Sequence, residues 1–342
     1  AMFNLGSALP GATRPFGMVK VSPDTVKGAS GMPVDFQHCA GYRYEDDHIE
    51  GFSHNHLHGT GIGDYGNVLI MPTIEMTDAT TVRKGHRAPF AHEDEEAAPG
   101  RYAVTLTDPL VRVELTATPR CAHHRYTWLD ATDEAVILID AAAALSGGRS
   151  KGGAITVDAV GHTVEGWTHN HGAFSGRYGG FKVYFAVRFR DLPSGMGTWL
   201  DGRIQEGRSA VDTTADPASF GAYLRFSTVS VPTIEAQVCL SYVSVAGARA
   251  ALTAEMPSWA FEATRDAAEA AWEAELSKIE VSGGTADHRA VFYTSLYHAL
   301  QMPTLWSDVD GRYTGFDGQV YVADGWDYVT DISLWDTYRT QN

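Results

Sequence analysis

The densest set of chemistry-bearing side chains lies between Cys39 and Pro72, where an acidic run, Glu45-Asp46-Asp47, precedes His54, His56 and His58. Histidines at alternate positions would share one face of a strand, and imidazoles on one face can converge on zinc or copper. The structural alternative is that each ring hydrogen-bonds loop backbone, since no carboxylate stands at a defined offset to complete a ligand set. Gly59-Thr60-Gly61-Ile62-Gly63 has the look of a phosphate-cradling loop. It lacks the Lys-Ser/Thr of a P-loop, and the G-x-G-x-x-G form falls on Gly59, Gly61 and Asp64, with aspartate where glycine is required. These glycines are expected to serve tight turns close to a ligand or a neighbouring domain. Ser53 and Ser175 lie near histidines, but no Gly-x-Ser-x-Gly elbow accompanies them.

Two further motifs stand near the end of the chain. Asp308-Val309-Asp310-Gly311-Arg312-Tyr313 begins like a calcium loop, but its glycine comes too early and no acidic residue follows at the twelfth place, so a turn is expected. Trp335-Asp336-Thr337-Tyr338-Arg339 can set an indole face and a carboxylate beside one sugar ring, the ring stacking while the carboxylate accepts two hydroxyls.

The elements that must position these residues change character once. Up to Glu255 the chain reads as short β-branched strands, among them 102–106, 111–115, 135–139, 183–187 and 238–243, with no helical patterns of 10–15 residues between. Many short strands without intervening helices predict antiparallel sheets packed as a β-sandwich over residues 2–255. Gly147–Gly153 and the Pro193-Ser194-Gly195 region read as loops. Beyond Met256 the period becomes helical: Ser258 is a candidate cap for a helix over Trp259–Lys278, within a helical linker at 256–284. A second helix is predicted over Asp287–Gln301, ended by Pro303, and a third begins at Ile332. Two or three helices cannot bury their own apolar faces, so 285–342 reads as the opening of a helical domain and the chain as a fragment.

Composition narrows the partners. The 342 residues carry 26 Lys+Arg against 42 Asp+Glu, a net charge of −16, which repels phosphate backbones and excludes nucleic acid and anionic membrane surfaces as natural partners. No apolar run approaches the ~20 residues that cross a bilayer. Neutral sugars suit the 8 Trp and 15 Tyr better. Cys39, Cys121 and Cys239 have no CxxC spacing, and either one disulfide with one thiol or three thiols is compatible with them.

Taken in order, Pro10–Val19, Ser22–Thr25, Gly41–Tyr44, Gly51–His54, His56–Gly61, Gly63–Gly66, Ala98–Gly100, Glu114–Thr118, Ser241–Ser244, Phe292–His298, Ser307–Tyr313 and Ser333–Arg339 resemble glycoside hydrolase family 92, the calcium-dependent α-mannosidases. The resemblance implies an N-terminal β-sandwich joined by linker helices to an (α/α)6 barrel, with the active site between them, in a secreted exo-mannosidase acting on mannose-containing glycans. It further implies inversion at the anomeric carbon by a carboxylic acid and a carboxylate base, and calcium as the cofactor. The acid, the base and most calcium ligands would fall in later barrel helices, so no catalytic residue is expected within this chain. The substrate-binding candidates are Asp336, at the family's Trp-Asp-Thr position, with Trp335 and Arg339, and the loop residues Phe36, Gln37, His38 and Cys39. Members specific for α-1,2 linkages have Gly-Trp-Asp-Gly-Cys-Ser-Gly-Tyr in that loop; this chain has Asp35-Phe36-Gln37-His38-Cys39-Ala40-Gly41-Tyr42. With Phe36 in place of the tryptophan, mannose-1-phospho-6-mannose becomes an alternative substrate, His38 being the candidate donor to its phosphodiester. The competing class is a non-catalytic carbohydrate-binding sandwich.

Overall fold

Strand Arg101–Thr107 shows the period-two rule plainly: Tyr102, Val104 and Leu106 are buried while the residues between them are not. Other strands, such as Lys20–Val26 and Ala135–Asp140, are buried along their whole length because they are covered on both faces. The computed structural model describes residues 7–33 and 36–332. Most of its strands form two nine-stranded sheets, with antiparallel pairing throughout the main ladders, and two two-stranded sheets pair Thr304–Leu305 with Val329–Thr330 and Arg312–Thr314 with Val320–Val322. The first sheet runs Ala12–Thr13, Lys20–Val26, His48–Ser53, Leu69–Thr73, Ala135–Asp140, Phe220–Phe226, Gly195–Leu200 and Arg203–Glu206 in spatial order, with Ala88–Pro89 also paired to His48–Ser53. The second is centred on Phe181–Phe189, Thr233–Ser241 and Cys121–Trp128. One continuous apolar core takes Phe52, Ile137 and Ile139 from the first sheet, and Val104, Val113 and Phe185 from the second, as a sandwich requires.

The sandwich expected from the strand pattern is therefore present, with four local differences. Ser241 ends its strand, because its hydroxyl accepts the N–H groups of Val243 and Ser244 and turns the chain. A helix over Val245–Glu255 follows, where the sequence pattern gave only strands and turns. Its signal is a run of small residues: Ser244 caps it through Gly247 N–H at 3.0 Å, and Gly247, Ala248 and Ala251 let it lie flat on the sheet. Gly147–Gly153 is not all loop, since strand Arg149–Asp158 begins within it; a register shift between Ser150 and Gly153 absorbs Gly152, at φ +131°. Gly195 likewise opens strand Gly195–Leu200 instead of closing a loop.

Calling the single helical turn Arg83–His86 α1 and Val245–Glu255 α2, the next helices are α3, Phe261–Leu276, and α4, Ala286–Ala299. The first residue of α3 is Phe261 and its cap position is Ala260, not Ser258. It buries Phe261, Ala268 and Trp272 against the second sheet, and the Trp272 indole donates to Thr13 O at 2.7 Å. Thr285 caps α4, which buries no residue fully and leaves Val291 exposed. The chain then returns to the sandwich: Phe16 N–H donates to Leu300 O, Leu305 N–H to Phe16 O, and Trp306 stacks on Tyr242. Cys121 and Cys239, register partners on adjacent strands, form a disulfide beneath α2, and Cys39 is a separate buried cysteine. No described helix is long and apolar enough to cross a membrane.

Candidate functional site

One loop, Gly59–Gly66, joins the two regions singled out by sequence. Asp64 fixes its shape from inside: the carboxylate accepts Asn170 Nδ2 at 2.8 Å, Ser175 N–H at 2.7 Å, the Ser175 hydroxyl at 2.9 Å and Tyr65 N–H at 3.0 Å. An aspartate so committed to a neighbouring loop has no phosphate to serve. Gly63 is needed for close approach, because a Cβ there would lie 2.4 Å from Ser146. On one side Phe36 sits against Gly61; on the other, Tyr65 OH donates to Asp331 Oδ1 at 2.8 Å. Asp331 is the residue from which the chain runs through Ile332 towards Trp335, Asp336 and Arg339. Those three candidates lie outside the described residues.

Around Asp331 the sandwich supplies a small polar wall. Lys20 is buried; its ammonium donates to Gly17 O and Thr304 Oγ1, and burial pulls it down to about 8 against the opposing pull of Asp331. Burial pushes the Asp331 carboxyl up, with Lys20 resisting. His58 packs its ring 4.6 Å from that of His298 in α4, and burial, then His298 and Lys20, lower it to about 3. Its Nδ1 is buried without a hydrogen bond. None of Lys20, His298 or Asp331 was singled out by sequence; a lysine inside the apolar run Met18-Val19-Lys20-Val21 was the available signal.

Of the Phe36–Cys39 loop, His38 lines a cavity of about 440 Å³, together with Asp24, Glu50, Arg83, Ser146 and Met32, among others. Phe36 is 64% exposed, so its ring is available at the surface, while Gln37 is held by the Arg43 guanidinium. His38 is buried, and its Nε2–H donates to Asp46 Oδ2 at 2.8 Å, an oxygen that also accepts the Thr25 hydroxyl. Cys39 is buried with its thiol 3.7 Å from Phe36 O. Arg83 lies between Asp24 and Glu50, and Arg87 holds Glu50 Oε1 at 2.5 Å. Asp140 is pushed up to about 6 by burial despite Arg83.

The three alternate histidines do not share a face, because the strand ends at Ser53. His54 turns to the opposite sheet, where one relay of neutral rings is satisfied: Tyr126 OH donates to His124 Nδ1, His124 Nε2–H to His54 Nε2, and His54 Nδ1–H to Val68 O. Burial lowers both imidazoles, His54 to about 4. His56 instead donates from Nδ1 to Lys20 O and meets both Ser53 Oγ and Asp24 Oδ1 at Nε2, each at 3.0 Å. A hydrolytic triad needs serine and carboxylate on opposite ring nitrogens, so this trio is structural. Asp308 and Asp310 form the expected turn, closed by Gly311 N–H on Asp308 O, with Asp310 paired to Arg312. Among the described residues no group of three or more His, Cys, Asp or Glu side chains is placed to hold a metal ion.

Comparison with known proteins covers the whole of this arrangement. The model of the glycosyl hydrolase family 92 N-terminal domain matches residues 3–241, and that of the family's catalytic domain matches residues 247–342. An uncharacterized secreted glycosidase of Arthroderma benhamiae is 27% identical over 88% of this chain and 40% of its own length. The family GH92 α-mannosidase BT3965 of Bacteroides thetaiotaomicron, whose structure is also known with mannoimidazole, is 29% identical at a TM-score of 0.86, covering 98% of this chain and 44% of that one. The inverting mannosidase BT2199 of the same organism is 25% identical at a TM-score of 0.81, covering 98% and 42%. The chain thus spans less than half the length of these relatives.

Proposed function

This chain belongs to glycoside hydrolase family 92, and from that membership we propose that it is the front part of a secreted, inverting exo-α-mannosidase that releases terminal mannose from glycans. The observation that carries the reading is the Gly59–Gly66 loop, which bears Phe36 on one side and Asp331 on the other. It brings Phe36, of the candidate aglycone-contacting loop, and Asp331, which precedes Asp336 in sequence, against one loop, and this supports the reading. In this reading the segment from Asp331 leads into the opening of an (α/α)6 barrel, Asp336 and Trp335 hold the terminal mannose, and Arg339 supports them. Inversion needs an acid on one face of the sugar and a base on the other, both supplied by chain beyond Asn342. Calcium is proposed as the cofactor, its ligands unassigned; among the described residues no group of three or more His, Cys, Asp or Glu is placed to hold it, and no step is derived through it. The Cys121–Cys239 disulfide supports an oxidising, extracellular setting.

Between the two substrates, a neutral mannoside suits the described residues better. His38 Nε2 is committed to Asp46, and Asp24 and Glu50 line the same cavity, a poor setting for a phosphodiester. The test is to incubate the full-length enzyme with α-1,2-mannobiose and with mannose-α-1-phospho-6-mannose, with and without a calcium chelator, following the first-formed anomer by NMR. Release of β-mannose, lost on chelation, is expected, with the mannobioside preferred. A first-formed α anomer sinks inversion. No release from either substrate leaves a carbohydrate-binding sandwich as the better reading.

A further inference from the structure

Lys20 is a buried charge that no hydrolytic step uses. It opens Lys20–Val26, a strand buried along its whole length, and is itself 1% exposed. An ammonium leaves water only where hydrogen bonds and an opposite charge offset the loss. Two acceptors are in reach, Gly17 O at 3.1 Å and Thr304 Oγ1 at 2.6 Å. The opposite charge is Asp331: burial pulls the lysine down to about 8, and Asp331 opposes that pull. The relation is mutual. Burial pushes the Asp331 carboxyl up, and Lys20, the Thr304 hydroxyl and Tyr65 resist the rise. Asp331 Oδ1 accepts from Tyr65 OH at 2.8 Å, while Oδ2 is shut off from solvent without a hydrogen bond. Asp64 pushes Asp331 further up and burial keeps the His58 ring neutral, so the charge that offsets Asp331 comes from Lys20.

The place where these charges meet is specific. Thr304 is the register partner of Thr330 in the ribbon Thr304–Leu305 with Val329–Thr330, and Asp331 is the next residue, at φ +59°. A side chain other than glycine keeps that conformation only where its surroundings enforce it. Through Thr304 the ammonium ties the first sheet to the ribbon at the residue from which the chain continues to Trp335 and Asp336. We propose that Lys20 is a positioning residue of the mannosidase, its charge fixing Asp331, through Thr304, in the conformation that aims the Trp335-Asp336 segment at the terminal mannose. This role rests on the reading of the chain as a mannosidase. Lys20 itself falls between the stretches Pro10–Val19 and Ser22–Thr25 that carry the family resemblance. Enclosed as it is, the ammonium touches no substrate and acts through Asp331.

The full-length enzyme tests it, with Lys20→Met, Asp331→Asn and the double variant compared on α-1,2-mannobiose. Each single variant strands one enclosed charge, and kcat/KM should fall about tenfold. The double variant strands none, and its asparagine still accepts from Tyr65 OH, so kcat/KM should recover to within about threefold of wild type. Thr304→Val removes the linking hydroxyl and leaves both charges; it should lose about fivefold, and it stands in if Lys20→Met does not fold. Amide exchange reads the positioning without turnover. Peptides covering 326–342 should exchange faster in the single variants and return towards wild type in the double, while those covering 135–140 stay unchanged. Folded Lys20→Met with unchanged kcat/KM overturns the role, and so does a double variant no better than the singles. If the wild type turns over no mannoside, the mannosidase reading fails on its own, and exchange at 326–342 still decides whether Lys20 holds this segment.

Discussion

Tyr65 and Asp331 hold each other in backbone conformations that L-residues rarely adopt, at φ +67° and +59°. Each costs about 1–3 kcal/mol and persists only where surroundings enforce it, typically at functional sites. Tyr65→Phe deletes the donor and leaves Asp331 Oδ1 without it, which should lower stability by about 1–3 kcal/mol. Because Asp331 leads to Asp336, kcat/KM of the full-length enzyme on mannobiose should fall about tenfold as well. Tyr242→Phe loses only a 3.4 Å contact from Asn55 and serves as the control. A Tyr65→Phe enzyme that melts earlier but keeps its kcat/KM would show the bond to be structural alone. At this scale the motifs around Cys39 and Gly59 singled out two loops that the structure brings together, Phe36 lying against Gly61. The sequence was not informative about pairings: nothing local in Tyr65 announces Asp331, 266 positions away, or Arg83 between Asp24 and Glu50. His54, His56 and His58 misled for the converse reason, since alternation implies a shared face only while the strand lasts, and it ends at Ser53.

Strands were legible as elements wherever β-branched residues ran between turn formers, and α3 and α4 wherever the period was helical. Helix α2 was not, because its Ala- and Gly-rich sequence carries little hydrophobic periodicity; it is held by its Ser244 cap and by close packing on the second sheet. Beneath it the disulfide joins strands Cys121–Trp128 and Thr233–Ser241, a pairing that cysteine spacing alone left open. The bridge closes a separation of 118 residues. Replacing both cysteines by alanine should therefore cost about 2–5 kcal/mol, by freeing the unfolded chain. Urea denaturation of the double variant beside the wild type reads this out, with the wild type also measured after reduction. A midpoint shifted in neither case would mean that the ladder and α2 hold these strands unaided.

At the scale of the whole molecule, burial lowers five imidazoles: His54 and His86 to about 4, His58 to about 3, His124 well below its ordinary value, and His298 below its own. They come from different layers: His124 from the second sheet, His54 and His58 from the chain just after strand His48–Ser53, His86 from α1 and His298 from α4. Between pH ~4 and ~6.5 the unfolded chain binds protons on these rings that the folded chain refuses, so stability rises with pH across that window and levels off above it. Asp140, Asp308 and Asp331 act in the opposite sense: burial raises the first two to about 6 and Asp331 above its ordinary value, so the folded state holds protons that the unfolded state has released from pH ~4 upward. Five groups outweigh three, and the sandwich should lose stability as it is acidified, despite its net charge of −16 approaching neutrality. Calorimetry at pH 4.5, 5.5 and 6.5 in buffers of equal ionic strength should show Tm climbing at each step. His54→Gln, which cannot gain a proton, should flatten the climb while lowering Tm at pH 6.5 through loss of the His124 relay. A Tm that peaks at pH 4.5 would mean that the buried carboxyls, not the imidazoles, set the acid response of this fold.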